Sequence, residues 1–320
     1  PKTAYSAFVS LFNGKINYFM RTIPNINHLV TPLEETIRNK FIPAITGGQI
    51  CSLIERKLLS LPVRYGGLAI PLFHEQAEHE YNNSRKITSE LLPLIKNQSK
   101  HYYVDEAKIK SVKQSIKKEK EELYKASFNN YKNNLDEKSK RLLDISTEKG
   151  VSNWLTTLPM NEYGFELSKQ QFWDAIRLRY GWNISRLPTI CPCGSKFNIQ
   201  HCMSCKKGGF VSIRHNNLRD LTAKILSEVC NDTEIEPQLQ PLTGEVLNNR
   251  TANRSNEARL DIRARGVWER GQQAFFDLRV FDPNACRYHN KSLQKCHAMN
   301  EIEKKMAYNE RILQIEQGTF

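Results

Sequence analysis

No run of 18 apolar residues occurs in the 320-residue chain and no signal-peptide pattern opens it, so neither a membrane-spanning helix nor a secretory leader is expected. Acidic residues are in deficit, 34 Asp plus Glu against 47 Lys plus Arg, for a formal charge of +13. Such a surplus points to a polyanionic partner, with nucleic acid the common case and an acidic membrane surface the rival. A scattered disulfide framework is missing too. Of eight cysteines, five fall between Cys191 and Cys230 with a histidine among them, which suits metal binding in a reducing compartment better than cross-linking. With 39% hydrophobic and 25% charged residues, the composition is that of an ordinary globular protein with a real core.

What the chain does contain is organised around Ala258 to Phe281. Ala258, Leu260, Ile262 and Ala264 alternate with Arg259, Asp261 and Arg263, the period-2 pattern of a half-buried strand. Phe276, Leu278 and Val280 repeat the pattern and leave Asp277 and Arg279 on the other face, while Gly266 and Gly271 bound a polar hairpin loop. Folding back about that loop sets Asp261 nearly opposite Asp277. Like charges facing each other across strands destabilise a sheet unless a cation or a partner offsets them. Two readings follow: a hairpin salt-bridged by Arg263 and Arg279, or a metal site.

Residues 1–100 read as helical, with Phe8, Leu11, Phe12, Ile16 and Phe19, then Leu29, Leu33, Ile37 and Phe41, at helical spacing, and with prolines 24, 32, 43 and 62 dividing the helices. Arg21, Arg38, Lys57 and Arg64 are candidates for a basic face lying on a nucleic-acid backbone. Gly66-Gly67 mark a turn that lets backbone approach something closely. Residues 101–185 read as a charged helical linker: Ile109, Val112, Ile116 and Leu123 form a thin stripe on a long helix or helical hairpin. A second helix, Ser168 to about Tyr180, opens on a Ser168/Gln171 capping box and stops at Gly181.

Cys191, Cys193, His201 and Cys205, in a segment spanning 186–210, have the residue types and spacing of a tetrahedral zinc site, with Cys202 a rival for the place of Cys205. Beyond it lie an expected amphipathic helix from Arg214 to Cys230 carrying Leu218, Leu221, Ile225, Leu226 and Val229, a strand from Glu234 to Leu239, a polar loop over 243–257, and a helix from Met299 to about Ile315 with Lys304, Lys305 and Tyr308 near one face. The expected class is α+β: a helical region, a helical linker, a zinc knuckle and a small α/β domain over 211–320.

Helix, strand, Asp-bearing strand, Asp-x-Arg strand and Lys-bearing helix, in that order, resemble the core of PD-(D/E)xK restriction-like nucleases. With the knuckle upstream, followed by Gly208-Gly209-Phe210, Arg214-His215-Asn216, Glu236-Pro237, Arg259-Leu260-Asp261 and Phe276-Asp277-Leu278-Arg279, the chain is similar to the C-terminal part of non-LTR-type retrotransposon proteins, which carry such an endonuclease behind a reverse transcriptase. Arg21-Thr22-Ile23-Pro24 and Leu61 through Leu68 resemble the thumb region after the polymerase palm. The resemblance implies Mg²⁺ bound by Asp261 and Asp277 with Glu236 assisting, contacts to target DNA and element RNA that include Arg214 and His215, a nuclear location, and nicking that primes reverse transcription. Leu260 and Arg279 stand where the family has proline and lysine. Arginine cannot transfer its proton at neutral pH, so Lys304 or Lys305 is expected to take that role. No Tyr-x-Asp-Asp occurs, and Tyr103-Val104-Asp105-Glu106 is too poor a copy, so polymerisation by this chain is not expected. The chain is expected to be a piece of a longer protein, cut short at its C-terminal end. The competing expectation is a decayed, zinc-containing nucleic-acid-binding protein.

Overall fold

Apolar spacing sets the first helices, with one twist. In the computed structural model, which describes residues 1–98, 105–207, 210–239, 260–288, 290–314 and 316–320, α1 (Lys2–Ala7) runs through a π-turn at Phe8–Phe12 into α2 (Asn13–Thr22). A π-turn winds one extra residue into the helix. Phe19 would stand about three regular turns beyond Phe8; the extra residue hands that place to Met20, which is buried while Leu11 and Phe19 face solvent. α3 (Asn27–Thr36) passes through a second π-turn, Ile37–Phe41, into α4 (Ile42–Thr46). Pro32 and Pro43 therefore lie within helix rather than dividing it. The second π-turn precedes Pro43, whose missing N–H removes a regular helical bond.

α5 (Leu53–Ser60) starts on a capping box made by Ser52 and Glu55. The Gly66-Gly67 turn after it is a packing device: a Cβ on Gly67 would sit 1.9 Å from the Leu61 carbonyl oxygen. α6 (Phe73–Thr88) and α7 (Leu91–Lys96) precede a helical hairpin, α8 (Glu106–Asn133) and α9 (Glu137–Thr147). Along α8 only Ile116 of the expected stripe is buried, and Leu123 is exposed. After α10 (Asn153–Thr156), α11 (Lys169–Tyr180) has the expected Ser168/Gln171 box and ends at Gly181 with φ +68°.

Contacts divide the chain into two compact units, Pro1–Ser185 and Arg186–Phe320. In the first, Leu155, Phe172 and Ile176 enter the same core as Tyr5, Met20, Ile42, Leu59 and Phe73, so the region expected as a linker helps to fill the N-terminal core. Two buried arginines tie it. Arg56 forms a two-pronged pair with Glu34 at 2.7 Å, and Arg177 donates to the Thr46 carbonyl at 3.1 Å.

The second unit holds α12 (Ile199–Ser204), α13 (Phe210–Val229) and a three-stranded antiparallel sheet in the order β1 (Asn231–Ile235), β2 (Ile262–Arg265), β3 (Gln273–Phe276), followed by α14 (Leu293–Gln314). The molecule is thus α+β and mostly helical. β1 begins before the expected Glu234 and ends at Ile235, because Glu236 turns to φ +56°. Ile235 is consequently exposed, while Leu239 joins Leu260, Phe275 and Ile312 in a small core. β3 stops at Phe276, so Leu278 and Val280 lie beyond regular strand. The residues expected to join this hairpin from Ala258 and Arg259, the loop over 243–257, and Gly208-Gly209 lie outside the described residues, as do Tyr103, Val104 and Ile315.

Candidate functional site

The four expected zinc ligands are brought together by two short devices. Cys191 and Cys193 flank a tight turn closed by the Gly194 N–H donating to the Cys191 carbonyl at 2.8 Å. His201 lies on α12, which Asn198 caps by accepting from the His201 N–H at 2.8 Å, and Cys205 follows the last turn. The four ligand atoms all lie within 4.8 Å of one another. The Cys191 and Cys205 sulfurs are 3.7 Å apart and unbonded, which matches the edge of about 3.8 Å in a tetrahedron with roughly 2.3 Å zinc–sulfur bonds. Cys193 Sγ is 3.1 Å from His201 Nε2. The Ser195 side chain and N–H hold the Cys193 thiol down at about 6, so this sulfur is readily a thiolate, the form a metal takes. Donor set and spacing fit a metal such as zinc. Cys202 is not part of the cluster.

Arg214, expected on a nucleic acid, instead donates to the Met203 carbonyl at 3.1 Å and so joins α13 to the knuckle helix.

The hairpin register pairs Ile262 with Phe276, which puts Asp261 and Asp277 opposite each other, as their sequence positions suggested. Their compensation is different. Arg263 pairs with Glu234 and Arg279 with Glu303, so neither arginine offsets the aspartates. Each of those arginines has a nearer acid on the neighbouring element. His215 from α13 meets Asp261 Oδ1 at 2.9 Å, and the Leu278 N–H donates to the other Asp261 oxygen. Lys304 from α14 meets Asp277 Oδ2 at 2.6 Å, an ion pair without the angle of a good hydrogen bond. Burial pushes the Asp277 carboxyl above its ordinary range, Lys304 pulls it down and Asp261 pushes it up again. The same two aspartates, after burial, raise Tyr308.

Lys304 and Lys305 therefore part company: Lys305 points to Glu301 at 2.6 Å on an exposed face. One residue along a helix is a turn of about 100°, and only one of two neighbours can face the sheet. Glu236 does not join the aspartates as a third carboxylate. Its backbone N–H donates to the Asp261 carbonyl at 2.8 Å, but its side chain takes Arg219. Among the described residues, the Cys191, Cys193, His201 and Cys205 cluster is the one group of three or more His, Cys, Asp or Glu ligand atoms so drawn together. His215, expected as a nucleic-acid contact, belongs to the aspartates. Arg219 was missed by the sequence reading, although it stands four residues after His215 on the same helical face, a legible signal.

That face explains a second reversal. α13 packs on β1 and β2 through the side bearing His215, Arg219 and Ala223, while Leu218, Leu221, Ile225 and Val229, expected inside, are exposed. Carboxylate partners on the sheet, not apolar area, orient this helix.

In the first unit, Arg21 pairs with Glu80 at 3.1 Å and Arg64 with Glu121. Arg38 makes a long contact of 3.5 Å to the Cys51 carbonyl, and Lys57 is exposed. Among the described residues no helix is long and apolar enough to cross a membrane. No known family model matches the chain, and no curated protein matches it.

Proposed function

We propose that this chain is the Mg²⁺-dependent endodeoxyribonuclease part of a non-LTR-type retrotransposon reverse-transcriptase protein, acting in the nucleus on target DNA and element RNA, and nicking the DNA so that its freed end primes reverse transcription. The observation that carries the reading is the facing pair Asp261 and Asp277 with Lys304 set against it from a helix. Two hard carboxylates at one place suit Mg²⁺, which commonly takes one or two protein carboxylates and completes its shell with water and substrate phosphate. When bound, the ion would supply an activated water and neutralise charge on the leaving oxygen.

The chain's own groups have separate tasks. Asp261 and Asp277 hold the cation. Lys304 sits where an ammonium can stabilise charge developing on phosphorus oxygens, the role that the sequence motif left open. His215 fixes the orientation of the Asp261 carboxylate through its 2.9 Å contact. Arg279, turned to Glu303, is an outer residue. The zinc knuckle is structural, holding its loop against α13 through Arg214.

The competing reading, a decayed zinc-containing nucleic-acid-binding protein, draws on Glu236 being held by Arg219 instead of completing a three-carboxylate site. A nicking assay on supercoiled plasmid, with and without Mg²⁺, separates the two. The nuclease reading expects nicking that Asp261→Ala or Asp277→Ala abolishes with DNA binding intact or slightly improved. A parent chain that binds DNA and never nicks with any divalent metal leaves the binding protein.

A further inference from the structure

α6 and α8 face each other across a groove that neither the zinc cluster nor the aspartate pair uses. His79, Asn82, Asn83 and Lys86 recur at the 3, 4, 7 spacing of one helical face on α6, and Ile116, Lys120 and Leu123 line the groove from α8. The open groove has a volume of about 540 Å³, the size of a site for a nucleotide-sized ligand. Its floor is apolar: Ile116 is buried and Leu123 lies beside it. Its rim carries amides, the cations Arg85, Lys86 and Lys120, and one acid, Glu119. Arg85 has no ion-pair partner among the described residues, and Lys86 has only a long contact of 3.8 Å with Glu119. Glu80, the buried acid between the helices, is already matched by both Arg21 and Lys120. The groove is therefore net positive.

Apolar surface beneath a base, the Arg85 guanidinium as a flat partner, amides along a base edge and cations for phosphate together suit an unpaired strand, whose bases are free of the duplex stack. A duplex keeps its base faces stacked away and would leave Ile116 and the two asparagines unused. We propose that the α6–α8 groove binds an unpaired polynucleotide strand, with a base over Ile116 and Leu123 and its phosphates against Arg85 and Lys86. Binding here does not depend on the aspartate pair being a nuclease.

The test is fluorescence anisotropy on the full 320-residue chain with a labelled strand of about 12 nucleotides, as RNA, as DNA and as duplex. The single strand should bind tighter than the duplex. Arg85→Glu with Lys86→Glu should weaken strand binding roughly tenfold or more and flatten its salt slope by about 1.4 units. Asn83→Leu should weaken it with the slope unchanged. Lys138→Glu with Lys149→Glu makes the same charge change elsewhere and should leave strand affinity near that of the parent. A preference for RNA or for DNA supports the proposal equally and identifies the strand. Duplex binding as tight as the single strand, groove variants that bind like the parent, or an equal loss in the charge-matched control overturns it. Plasmid nicking by the same proteins separates the two readings: a parent that never nicks leaves the groove intact as a proposal, whereas a nicking parent whose strand binding ignores the groove charges sinks it alone.

Discussion

Asp277→Asn tests the aspartate pair most directly, because the substitution keeps the side chain's shape and removes its charge. Asp277 is 7% exposed and meets Lys304 at 2.6 Å. At an effective dielectric near 20 that contact carries about 6 kcal/mol of gross attraction, and burying an ionised carboxylate costs several kcal/mol before any partner is counted. The direction of its pKa decides which is larger: burial raises it, against Lys304 and with Asp261, so the ionised form is held at a net cost. Asparagine removes that cost, the like-charge contact with Asp261 across the strands included. Lys304, 31% exposed, can turn its ammonium to water. Urea unfolding at pH 7 should therefore find Asp277→Asn as stable as the parent or up to about 1 kcal/mol more stable, while Mg²⁺-dependent nicking disappears. The sign with pH follows. Between the ordinary 3.8 and its raised value, the folded chain holds a proton that the unfolded chain releases, so the parent gains stability as pH falls through that window and the variant lacks the gain. A loss of about 2 kcal/mol or more at pH 7 would mark a structural ion pair and refute the reasoning.

Three further outcomes are expected. Purified protein should carry one zinc by metal analysis; Cys193→Ser or His201→Asn should release it and expose the knuckle to protease, while Cys202→Ser should retain it. Gly67→Ala, with its Cβ placed 1.9 Å from the Leu61 oxygen, should cost several kcal/mol or prevent folding, whereas Gly150→Ala, with nothing within 4 Å and φ +87°, should cost about 1–3 kcal/mol in urea unfolding. Lys2 is buried with its ammonium 2.7 Å from the Trp154 carbonyl, and burial lowers its pKa to about 8. From about 8 up to its ordinary 10.5 the unfolded chain holds the extra proton, so stability should rise with pH across that window in the parent and stay flatter in Lys2→Met; equal slopes would contradict it.

Local signals carried a good part of this protein by themselves. The helix at Ser168 to Tyr180 with both caps, the close-packed Gly66-Gly67 turn, the clustering of Cys191, Cys193, His201 and Cys205 and the register that sets Asp261 opposite Asp277 all depend on neighbours in sequence or on one tight turn, and period and residue type suffice to read them. What needed the folded chain was the choice among partners. Two π-turns each shift a helix by one residue, and the first moved the buried place from Phe19 to Met20; Pro43 marks the second, but no pattern in the residues flanking the first announces its shift. Lys304 and Lys305 are chemically equal in sequence, and only the side of α14 that meets the sheet separates them. Arg263 and Arg279 looked like the natural counter-ions of the aspartates until Glu234 and Glu303 arrived nearer. α13 turns its apolar stripe outward while His215 and Arg219, on its other side, meet the carboxylates of Asp261 and Glu236 beside the sheet. Period and propensity are properties of a segment, whereas charge pairing is a property of the whole packed arrangement, and here it decided which residues stand at the aspartate pair.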